Sequence, residues 1–149
     1  RSMKKSIMVV GLALSASLAS TGYAVEEHSH GHDHDNAASL QGLSRNNGER
    51  WQMDEHTRTM SQKMEKTFFD ADHGTRQSLN TLGTKLETQV QELIAGCTMQ
   101  GMSHDQLHVF LNDHIPTISA LAKADSLDSA RESAIKLKGQ FETYKKHFE

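Results

Sequence analysis

The chain of 149 residues has one cysteine, no strand-like alternation, no basic stripe and no second long apolar run after its first two dozen positions. Each absence excludes something. One cysteine cannot close an intrachain disulfide, so Cys97 is a buried thiol, an intermolecular bridge or a ligand. Without a basic stripe the chain is a poor partner for nucleic acid or an anionic membrane surface, and without a second apolar stretch no span remains after processing. Gly-x-Ser-x-Gly, a Gly-rich phosphate loop and His-Glu-x-x-His are all missing. With no assignable acid, base and electrophile set, the chain reads as a non-enzyme.

What is present begins with an export signal. Lys4-Lys5 forms a charged start, Ile7 to Ala19 an apolar run, and Gly22-Tyr23-Ala24 puts small residues at a cleavage site. Cleavage after Ala24 is expected, which makes the mature protein periplasmic. Losing residues 1–24 removes Arg1, Lys4 and Lys5 and no acid, leaving 13 basic against 19 acidic side chains and a net charge of about −6.

Residues 25–49 read as a linker, disordered when free, that opens with His28-Ser-His30-Gly-His32-Asp-His34. Imidazoles at alternate positions suit zinc, nickel or copper(II), with affinity falling as they protonate near pH 6.

Residues 50–149 follow a helical period. Met53, His56, Met60, Met64 and Phe68 recur three or four apart in a first helix. Leu79, Leu82, Leu86, Val90, Leu93 and Ile94 stripe a second, with Gly96 as its C-cap. A third carries Leu107, Leu111, His114, Ile118 and Leu121; the spacing predicts a Ser103 cap with Gln106 completing a capping box, and a kink or break at Pro116. A fourth starts near Ser126, carries Ala130, Ala134, Leu137, Phe141 and Tyr144, and runs to the chain end. The expected fold is an all-α, antiparallel, up-down-up-down four-helix bundle. That order puts the turn between helices 2 and 3 at the same pole as the start of helix 1 and the end of helix 4, so Met53 and His56 belong near it.

The same turn collects a thiol, two thioethers and two imidazoles: Cys97, Met99, Met102, His104 and His108. Soft sulfur beside imidazole favours copper(I). The leading functional reading is an exported soft-metal protein for copper buffering, storage or delivery, with an envelope metal-transport or metal-accepting protein as partner. His114, set among apolar neighbours, reads as a hydrogen-bonded core histidine.

Two resemblances accompany this reading. The stretch Leu127–Phe148, with Ala130, Ala134, Leu137-Lys138 and Tyr144, resembles the last helix of the cytochrome b562 family, periplasmic four-helix bundles. The resemblance implies haem between a helix 1 methionine and a helix 4 histidine, yet Lys145 follows Tyr144 where that family has its histidine, and His147 falls on another face. The segment Gly96–His108 resembles small exported helical proteins of bacterial metal handling, which implies a site centred on Cys97, Met99, His104 and His108. Alternative functions are a partner-binding or envelope-stress bundle, or a b-type haem electron carrier.

Overall fold

The computed structural model describes Leu40–Glu149. The expected export signal and the His28–His34 tract lie outside the described residues. Four helices follow one another: α1 (Glu55–Asp70), α2 (Arg76–Gly96), α3 (Met102–Lys123) and α4 (Leu127–His147). They form the expected four-helix bundle, with each helix packed on the next in sequence. The stripes read from the sequence supply the core: Met60, Met64 and Phe68 from α1, Leu79, Leu86 and Val90 from α2, Leu107, Ile118 and Leu121 from α3, and Ala130, Leu137 and Phe141 from α4 are all buried. Ile94 departs from its stripe and is exposed.

Local chemistry sets the helix ends. Asp54 caps α1 by accepting from Thr57 N–H, and Thr75 and Ser126 cap α2 and α4, each paired with a serine three residues on in a capping box. The third helix departs from expectation. It starts at Met102, one residue early, behind Gly101, whose φ of 76° suits glycine, and no side chain caps it. Gln106 is engaged elsewhere. Its Oε1 accepts from Ser44 N–H at 2.8 Å and its Nε2 donates to Gly42 O at 3.2 Å, which straps residues 42–44 to the bundle.

Residues 40–49, the last part of the expected linker, are held against the bundle. Leu40 and Leu43 pack against the core, and Trp51 Nε1 donates to Ser44 O at 2.7 Å. Residues 51–53, read as the start of helix 1, are instead extended. They pair with the chain end through Trp51 N to His147 O, Glu149 N to Trp51 O and Met53 N to Glu149 O. For the same reason α4 stops at His147 and Phe148-Glu149 is extended.

Pro116 does not divide α3. Its ring removes one amide donor. Just below it, the Asp113 carbonyl gains side-chain donors from Thr117 Oγ1 at 2.8 Å and Gln140 Nε2 at 3.3 Å. The tightest seam is between α2 and α3. A Cβ on Gly83 would lie 2.6 Å from Ala122 Cα, so the two backbones touch where no side chain intervenes. Between α1 and α4 the reverse holds: Phe68 and Phe141 meet with ring centroids 5.2 Å apart, and a Lys145–Glu65 ion pair bridges the outside.

Candidate metal site at the α2–α3 turn

The turn Cys97–Gly101 is tied to the start of α1 by one carboxylate. Asp54 Oδ1 accepts from Thr57 N–H at 2.7 Å, while Oδ2 accepts from both Thr98 N–H and Thr98 Oγ1 at 2.9 Å. Burial pushes the Asp54 carboxyl up, but the bonds from Thr57 and Thr98 outweigh it and hold the group well below the usual carboxylate range. Asp54 N–H in turn donates to Met99 Sδ at 3.2 Å. The topological expectation is thus met: the start of helix 1 and the α2–α3 turn share one pole.

His56 completes this junction. Its Nε2 lies 2.9 Å from Glu92 O, an acceptor that requires the proton on that nitrogen. The ring fits only because residue 96 has no side chain, since a Cβ there would lie 2.6 Å from His56 Cδ2. Gly96 is the last helical residue rather than a left-handed cap, and Cys97, with φ of −69°, takes the cap position. The glycine serves close approach of an imidazole.

The soft donors divide. Cys97 is a half-buried free thiol against the core, Met99 is half-buried with its sulfur on Asp54, and Met102 is 60% exposed. His104 and His108, one helical turn apart at the start of α3, stand face to edge with ring centroids 4.3 Å apart and Nε2 atoms 3.0 Å apart. Among the described residues, no three His, Cys, Asp or Glu side chains gather as a metal-ligand group, so Cys97 does not join the two imidazoles in one cluster. His28, His30, His32 and His34 fall outside the described residues.

No family model, curated protein or solved structure matches the chain. The residues must carry the reading themselves. For haem held as in the cytochrome b562 family, α4 would have to offer a histidine. At the position after Tyr144, where that family has its histidine, stands Lys145, paired with Glu65; the only histidine of α4, His147, lies two residues on, with Nδ1 on Thr143 O at 2.8 Å. The residues present do not fit that arrangement.

The six described histidines separate by partner. His56, His73 and His147 each engage a main-chain carbonyl, and buried His114 engages Gln140 Oε1 at 2.8 Å, as expected of a core histidine. His104 and His108 alone face each other. Two neutral imidazoles either share one proton across this gap or turn both lone pairs to one cation. Metal–nitrogen bonds of about 2.0–2.1 Å closing on nitrogens this far apart subtend roughly 95°, a cis angle of square-planar or tetragonal coordination. Asp54, Gly96 and the partners of His56 were not read as site residues; the Asp-x-x-Thr pattern at 54–57 was the available signal for the first.

Proposed function

We propose that this chain is an exported metal-binding protein whose structured anchor is the His104/His108 pair. The carrying observation is the 3.0 Å approach of their Nε2 atoms, which turns two ring nitrogens toward one point. Two nitrogen ligands at a cis angle suit copper(II) first, then nickel and zinc, and the order of affinity for such donors also favours copper(II). Two imidazoles leave coordination positions open for solvent or for the ligands of an accepting protein. Such a pairing suits buffering or transfer of metal in the cell envelope.

The copper(I) reading through Cys97, Met99 and Met102 draws support from the exposure of Met102 at the start of α3. It requires Met99 Sδ to leave the Asp54 amide, a weak bond to lose because thioether sulfur is a weak acceptor. The two readings separate by oxidation state. Chelator-treated full chain is titrated with copper(II) and, under reducing conditions, with copper(I) in competition with a chelator. His104→Gln with His108→Gln is expected to weaken copper(II) at least tenfold, while Cys97→Ser and Met99→Leu leave it unchanged. Undiminished copper(II) affinity in the double histidine variant overturns the anchor.

A further inference from the structure

Between α1 and α4, at the same pole, a cavity of about 350 Å³ opens between Met64, Phe110, His114, Phe141 and Phe148. This is the size range of small-ligand clefts, roughly 300–1,000 Å³. Its wall is aromatic and aliphatic, and its rim carries three cations, Arg50, Arg58 and Lys145, against two carboxylates, Glu65 and Glu149. Arg50 pairs with Glu149 and Lys145 with Glu65. Arg58 is the remaining charge. Its Nη1 is held by Met53 O at 2.9 Å, which orients the guanidinium and leaves its other donors available, and no carboxylate among the described residues pairs with it.

Two hydroxyls in the same wall, Ser61 Oγ and Tyr144 OH, are shut off from solvent and complete no hydrogen bond with the described residues. They lie close together, Ser61 acting on Tyr144 as a hydrogen-bonding neighbour, and Tyr144 also feels Arg58, so the pair has no polar partner beyond each other. Buried hydroxyls without an outside partner are destabilising. An acceptor-only group with two oxygens, brought beside Arg58, would take the guanidinium and, with a side-chain shift that uncovers them, both O–H donors. A carboxylate has that chemistry, and Arg58 is the rim cation without an ion pair to meet it.

We infer that the α1–α4 cavity is a binding site for a monocarboxylate with an apolar body, such as a medium-chain fatty acid, the carboxylate held by Arg58, Ser61 and Tyr144 and the body by the aromatic wall. His114 contributes no charge to this wall. Its Nδ1 is engaged by Gln140, and burial keeps its ring neutral against the pull of that bond and of Asp113. The site is independent of the His104/His108 anchor.

The test is calorimetric titration of the metal-free full chain with decanoate and with decan-1-ol, read beside amide chemical shifts. Decanoate should bind once and saturably, shifting amides of Arg58, Ser61 and Tyr144. Arg58→Gln should weaken decanoate at least tenfold and leave decanol unchanged; because Arg58 is exposed, this variant should fold. Ser61→Ala should weaken decanoate by a smaller factor. Absence of saturable binding, equal affinity for acid and alcohol, or shifts confined to another face would each overturn the proposal and leave an apolar void or a water site.

Discussion

The α2–α3 seam and the α1–α4 seam use opposite materials. In the first, Gly83 lets one backbone rest on the Ala122 backbone, and Asn80 Nδ2 closes the end of α3 by donating to Leu121 O at 2.9 Å and Ala124 O at 3.1 Å. In the second, aromatic rings hold the helices apart, two buried hydroxyls lack partners and a cavity remains. Close packing without voids is how interiors gain stability, whereas unsatisfied polar atoms and empty volume are destabilising. The bundle thus has one seam optimised for cohesion and one that keeps groups a ligand could use.

The largest expected effect breaks the tight seam. Intrinsic propensity says Gly83→Ala should stabilise a helix by about 1 kcal/mol. The contact says otherwise: the new methyl would overlap backbone atoms of Ala122, which cannot rotate away as a side chain tip can. The steric effect should win, with a net loss of about 3 kcal/mol. Urea unfolding followed by circular dichroism at pH 7 decides the sign, and a more stable variant would show that the helices part easily.

Next comes pH, acting through the looser seam. Burial lowers the His114 pKa to about 4 against an ordinary 6.5, with Gln140 and Asp113 opposing. In the unfolded chain the ring binds a proton first, so this contribution is complete above pH 6.5 and is lost as pH falls from 6.5 to 4, by about 3 kcal/mol at most. Asp54 and Asp113, both held below the ordinary carboxylate value against burial by their hydrogen bonds, lose their contribution at lower pH, below about 3.8. Unfolding free energy should therefore fall in two separable stages. His114→Leu should flatten only the upper one, and an unchanged slope between pH 6.5 and 4.5 would place the proton elsewhere.

A smaller loss should follow Asp54→Ala. One carboxylate caps α1 and anchors Thr98, so removal should cost about 2 kcal/mol, at the upper end for a helix cap. Amide exchange should quicken at Thr57 and Thr98 but not near Gly83. Uniform quickening would mean that Asp54 supports the whole bundle rather than one pole.

These seams were unequally legible in the sequence. Leu79, Leu86, Ile118 and Leu121 announce the α2–α3 interior by period alone, because burial of one helical face writes itself every three or four residues. Chain order then brings Asp54 and His56 to the Cys97–Gly101 turn. What period cannot convey is the partner of a polar atom. Gln106 looked like a capping residue, yet it straps Ser44 and Gly42, contacts more than sixty positions distant in sequence. Gly96 looked like a cap and is instead space for an imidazole. Likewise, the five soft and imidazole donors around 97–108 are neighbours in sequence, but Met99 turns toward α1 while His104 and His108 meet on α3. The cavity had no sequence signal, since Ser61, Tyr144 and His114 come from three helices.

The smallest effect sharpens the comparison most. Removing the Tyr144 hydroxyl would cost about 1 kcal/mol if it made an ordinary internal hydrogen bond. Here the hydroxyl is buried, burial raises its pKa, and its only polar neighbour is the equally buried Ser61 hydroxyl, which opposes that rise without completing a well-formed bond. Tyr144→Phe keeps the ring contacts with Phe110 and Phe148 and deletes only the unsatisfied atom. Stability should therefore stay level or rise by up to about 1 kcal/mol, measured by urea unfolding at pH 7, while decanoate binding weakens. A residue whose polar atom is idle for folding but needed for a ligand gives this opposite pair of signs. Loss of stability with unchanged decanoate affinity would make Tyr144 a structural member of the seam, and the distinction between the two seams would fail at that residue.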